Sequence, residues 1–138
     1  METNVLIASL RGVDEFLLHF VAAVLLVGLF ISIYIHITPY REITLIREGN
    51  QAAAYSLCGA LLGFIIPLAI AIAQSVSFLD MLLWGGIALI IQLLAFLCAR
   101  LVVPKLAEDI PAGKLAQGLF VGAFSLGIGI LNAASMTY

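Results

Sequence analysis

Gln92 is the side chain in this sequence with the most chemical potential, because an amide near the centre of an apolar run has few ways to be satisfied. In hydrocarbon an unpartnered amide costs several kcal/mol, so it must face another helix or water. One outcome is an interhelical hydrogen bond of about 0.6–2 kcal/mol that fixes the helix against a neighbour. Ser125, at matching depth in a second run, is the candidate partner. The other outcome is a polar ring lining a pore in an oligomer, to which Gln92, Ser125 and Asn132 would contribute. Titratable groups offer less. His19 and His36 lie at opposite ends of one run, about 25 Å apart at the rise of an α-helix, too far to share a metal. Cys58 and Cys98 fall at a similar depth in the cytoplasmic half of the hydrocarbon, belong to no metal-ligand spacing or Cys-x-x-Cys motif, and read as thiols acting as small hydrophobes. There is no Ser/His/Asp arrangement, phosphate loop or pair of carboxylates. The expectation is a protein that is not an enzyme and holds no cofactor or metal.

Four apolar runs position these residues: Phe16–Ile37, Ala52–Ala73, Met81–Val103 and Leu115–Met136. As a helix each extends roughly 33 Å at about 1.5 Å per residue, enough for a bilayer core of about 30 Å. Composition agrees. The chain has 138 residues, mean hydropathy +1.20 and 10% charged residues, too few to clothe a soluble domain. A net charge of −2 spread among the connections gives no footprint for nucleic acid. Residues 1–15 carry Glu2, Asp14 and Glu15 around the single Arg11, unlike the basic start of a cleaved signal. The first run therefore reads as a retained helix with an external N-terminal segment.

Orientation follows from the basic residues. Arg41 and Arg47 lie in the first connection, and Arg100, Lys105 and Lys114 border the third; Arg11 alone lies on the opposite side. The positive-inside rule then puts connections one and three in the cytoplasm and both termini on the outer, periplasmic side of a bacterial inner membrane. Arg100, about three residues inside its run, can snorkel to the headgroups. It is also a candidate contact for a lipid phosphate, or for Glu108 or Asp109. The five basic residues together are candidates for lipid or partner contact. No carboxylate lies inside any run, which disfavours proton- or sodium-coupled transport.

The chain also repeats itself. Pro39 follows the first run and Pro104 the third; Gly49-Asn50-Gln51-Ala52 matches Gly113-Lys114-Leu115-Ala116, and Gly63 matches Gly127. The fold expected is an all-α membrane protein, with residues 16–78 and 79–138 as two parallel tandem repeats of a helical hairpin. Gly59-x-x-x-Gly63, Gly118-x-x-x-Gly122 and Ala123-x-x-x-Gly127 allow close backbone approach, so the second and fourth helices are expected to meet near the repeat axis. Pro67 removes the amide that would bond the Gly63 carbonyl and is expected to bend its helix. Tyr40–Asn50 mixes both charges around Ile43, Leu45 and Ile46. It reads either as a short amphipathic helix on the membrane surface or as a polar turn.

Four ordered blocks carry a family resemblance: Ile37-Thr38-Pro39, Leu61-Leu62-Gly63-Phe64-Ile65-Ile66-Pro67-Leu68, Trp84-Gly85-Gly86-Ile87-Ala88-Leu89-Ile90-Ile91-Gln92-Leu93-Leu94, and Asn132-Ala133-Ala134-Ser135-Met136-Thr137-Tyr138. From about Thr38 onward, and excluding the first fifteen residues, the chain resembles the YjfL-like inner-membrane proteins, domain of unknown function 350. The resemblance implies a duplicated two-helix unit. It also implies an envelope-maintenance context, through gene neighbours resembling phage-shock-type membrane-remodelling proteins and glutathionylspermidine-synthetase-like ligases. The leading functional expectation is a non-catalytic scaffold or anchor, homo-oligomeric, showing its charged connections to a cytoplasmic membrane-remodelling partner. The alternative is an oligomeric channel or passive transporter for a small solute, ion or lipid.

Overall fold

The computed structural model describes residues 1–136; Thr137 and Tyr138, the last residues of the fourth block, lie outside the described residues. Six helices follow one another: α1 (Glu2–Ile37), α2 (Glu42–Arg47), α3 (Gln51–Gln74), α4 (Phe78–Val102), α5 (Leu106–Asp109) and α6 (Leu115–Ser135). Among these, α1, α3, α4 and α6 are long and apolar enough to cross a membrane. The short α2 and α5 sit in the two charged connections.

The start of α1 differs from expectation. The helix begins at Glu2 rather than Phe16 and runs 36 residues, about 54 Å, well beyond the bilayer core of about 30 Å. No proline or helix-terminating glycine motif intervenes before Pro39, and the charges at Arg11, Asp14 and Glu15 are good or tolerated helix residues. They mark an apolar boundary, not a helix boundary. Residues 2–18 are exposed. Contact with the rest of the fold begins near His19, whose ring meets the edge of Phe78 at 5.8 Å.

The centre of the bundle is the contact between α3 and α6. A Cβ added to Gly118 would strike the backbone of Ala52, one on Gly122 the carbonyl of Tyr55, and one on Gly129 the backbone of Gly63. Because the partners ascend together along both helices, α3 and α6 run parallel. Backbones approach this closely only where side chains are nearly absent. α4 packs against both, and α1 joins through an aromatic stack. Phe30 lies 4.8 Å from Phe64 and 5.6 Å from Tyr34, which meets Phe96 at 5.1 Å; all four rings are fully buried. Offset and edge-on rings at such separations add about 0.5–1.5 kcal/mol per pair beyond area burial.

The two connections end alike. Gly49 (φ 86°) and Gly113 (φ 76°) are the positive-φ residues among those described. The following amides, of Asn50 and Lys114, donate to the carbonyls of Leu45 and Asp109. Glycine relieves the steric penalty of that left-handed turn and lets the chain re-enter the bundle as α3 or α6.

Candidate functional site: a polar interlock and a buried carboxylate

Gly63, Gln92 and Ser125 meet where α3, α4 and α6 converge. The Gln92 Nε2 donates to the Ser125 carbonyl at 2.9 Å, and Gln92 is 1% exposed. The amide fits only because Gly63 lacks a side chain: a Cβ there would collide with both Gln92 Nε2 and the Ser125 carbonyl. The acceptor is the backbone of Ser125, not its hydroxyl. Gln92 Oε1, Ser125 Oγ and Asn132 Nδ2 are buried with no hydrogen-bond partner among the described residues. Asn132 is thus buried at its amide nitrogen but does not join the interlock.

Gly59, Gly63, Gly118 and Gly122 all lie in close backbone contacts, whereas Gly127 has nothing within 4 Å of the position a Cβ would take. Its expected packing role belongs to Gly129. At about 100° per residue the two glycines point to nearly opposite sides of α6, and only Gly129 meets Gly63. Pro67 is buried within an uninterrupted α3. The Gly63 carbonyl that it deprives of an amide lies against Gly129, so the lost bond coincides with a close approach of α3 and α6.

Of the basic candidates, Arg41, Arg47, Arg100, Lys105 and Lys114 are all exposed. Lys114 pairs with Asp109 at 3.2 Å, so one of the two acidic partners considered for Arg100 is engaged by Lys114. Asn50 brings the two connections together. Its Oδ1 accepts from the Ala53 amide at 3.0 Å, capping α3, while its Nδ2 donates to the Ile110 carbonyl at 2.9 Å. Cys58 and Cys98 are free thiols exposed on the bundle's outer surface.

The residue that sequence reasoning missed is Glu42. Of the two readings of residues 40–50, the short helix is present as α2, but it packs Leu45 and Ile46 against the core and leaves Glu42 1% exposed. Glu42 shares a face with Leu45 and Ile46 at i, i+3, i+4 spacing, and that was the available signal. Burial pushes its carboxyl from the ordinary 4.5 up to about 8, against a smaller opposing effect of the Tyr40 hydroxyl. Both Glu42 oxygens and the Tyr40 hydroxyl are buried without meeting hydrogen-bond geometry with any partner among the described residues. Burial, then the Glu42 charge, raises the Tyr40 hydroxyl well above its usual range. Beside them the Tyr34 hydroxyl meets Ser56 Oγ at 3.5 Å.

The described residues hold no group of three His, Cys, Asp or Glu able to take a metal. The family model called Domain of Unknown Function (DUF350) matches residues 5–136, so the likeness begins far upstream of Thr38 and includes most of the N-terminal segment. The chain is 46% identical over 120 residues to the UPF0719 inner membrane protein YjfL of Escherichia coli K12, covering 87% of this chain and 91% of that protein. It is 27% identical over 124 residues to the UPF0719 transmembrane protein YshE of Bacillus subtilis, covering 88% and 92%. No solved structure matches. On the extent of the family match and the identity to YjfL, the chain belongs to the DUF350 family of integral membrane proteins.

Proposed function

We propose that this protein is a non-catalytic inner-membrane scaffold, built from two parallel hairpin repeats, that presents its charged connections to a cytoplasmic partner in envelope maintenance. The observation that carries this reading is the burial of Gln92 against α6 at 2.9 Å from the Ser125 carbonyl. The mid-membrane amide is used for packing, which leaves a channel without its expected lining group. The charge is concentrated instead on α2, α5 and their flanks, where Asn50 links one connection to the other and makes them a single surface. Matching glycine turns at Gly49 and Gly113 and the parallel course of α3 and α6 support the duplicated hairpin. The five-to-one placement of basic residues supports a cytoplasmic surface with both termini periplasmic. The long exposed apolar face of α1 supports association of several copies within the bilayer.

A photocrosslinking residue at Arg47 or Lys105, in native membranes, tests the reading. The expected result is one discrete protein captured from both positions and lost when Arg41, Arg47 and Lys105 are reversed in charge. Absence of any captured protein at both positions would overturn it.

A further inference from the structure

Three buried oxygens in the first connection have no hydrogen-bond partner among the described residues: both carboxylate oxygens of Glu42 and the hydroxyl of Tyr40. Such groups are rare in folded proteins and costly, because each has lost its water without a replacement. They are also concentrated. The Tyr40 hydroxyl is close enough to Glu42 and Ser56 to feel both electrostatically, without meeting hydrogen-bond geometry with either, and Ser56 Oγ lies 3.5 Å from the Tyr34 hydroxyl. Four oxygen-bearing side chains from α1, α2 with its leading residues, and α3 therefore lie near one another at one end of the bundle.

We propose that Glu42, with the hydroxyls of Tyr40, Ser56 and Tyr34, forms a binding site for a small monovalent alkali cation. This inference goes beyond the scaffold reading and does not depend on it. Carboxylate and hydroxyl oxygens are hard ligands suited to hard cations. One carboxylate balances one positive charge; Ca²⁺ sites draw on six to eight oxygens and several carboxylates, which this cluster lacks. Among the described residues no protein cation takes the place. Arg100, on α4, influences Tyr40 only weakly, and Glu42 takes part in no ion pair among the described residues. A groove lined by Thr38, Tyr40, Arg41 and Glu42 borders the cluster from solvent and offers an entry path. The proton is the natural competitor, since burial holds the carboxyl near 8 in the absence of a cation. Cation binding is therefore favoured at alkaline pH and displaced as the pH falls.

The test is thermal unfolding of the detergent-purified protein at about pH 9, above the Glu42 transition. Sodium or potassium chloride is exchanged for choline chloride at constant ionic strength. The expected result is a saturable rise of several degrees in the midpoint with one of the alkali salts, absent at about pH 6 and absent in E42Q. Y40F, which keeps the carboxylate, should need a higher salt concentration for the same rise. Equal midpoints of the wild type in all three salts at pH 9 would overturn the proposal and leave the proton as the ligand. A rise that persists in E42Q would overturn it equally, by putting the cation elsewhere. Should E42Q fail to purify, an unaltered salt response in Y40F or at pH 6 would do the same.

Discussion

The side-chain amide of Asn50 donates to the backbone carbonyl of Ile110 at 2.9 Å, across sixty residues of sequence. The same side chain caps α3 by accepting from the Ala53 amide. One residue thus starts a membrane helix and holds the two charged connections together. N50A should lose both roles, costing about 0.5–2 kcal/mol for the cap and about 0.5–1.5 kcal/mol for the second bond. N50D keeps an acceptor for Ala53 but has no donor for Ile110. Its helix should survive, while disulfide trapping between cysteines placed on the two connections becomes less efficient. Equal trapping in N50D and wild type would show that the bond does not hold the connections.

Gly129 and Gly127 separate packing from composition. G129A must push a methyl into the Gly63 backbone, at about 1–3 kcal/mol for an overpacked contact. G127A meets nothing within 4 Å and should be neutral or slightly stabilising, because alanine favours helix over glycine by about 1 kcal/mol. Thermal midpoints of the two variants in the same detergent decide it.

At Gln92, substitution by leucine removes the bond to the Ser125 carbonyl and should lower stability by about 0.6–2 kcal/mol. Enlarging Gly63 should be worse, because a Cβ there meets both the amide and the carbonyl. If both G63A and Q92L unfold at the wild-type temperature, the interlock contributes nothing to stability.

Glu42 makes stability depend on pH with a definite sign. Its carboxyl rises from 4.5 to about 8 on folding, so between those values the folded chain holds a proton that the unfolded chain has released. Stability from this group is full below about pH 4.5, declines as pH rises, and levels off above about pH 8. In choline chloride, unfolding midpoints should fall across that window in the wild type and fall less in E42Q. A wild-type profile no steeper than that of E42Q would rule out a proton held by Glu42.

Much of this architecture is a local property of the chain. Span length and hydropathy identify α3, α4 and α6 to within a few residues because the bilayer imposes a length and a polarity on any helix that crosses it. The glycines of α3 and α6 are visible for the same reason, since close approach needs small residues at helical spacing. The N-terminal half of α1 was less legible: hydropathy reports where apolar character ends, and a helix continues for as long as nothing breaks it. Which glycine of α6 touches α3 depends on the rotation of one helix against another, a quantity that both Gly127 and Gly129 satisfy in sequence.

Sequence by itself determined the four apolar helices, the lopsided placement of five basic residues, and the need for Gln92 to find a partner. Tertiary structure decided what that partner is, the carbonyl of Ser125, and that α2 turns Glu42 inward beside Tyr40. The physical reason is that a charged residue in a short connection has two solutions, water or burial. The choice depends on whether Leu45 and Ile46, on the same face, find the core within reach. That reach is set by how α1 and α3 pack, which no stretch of the sequence encodes alone.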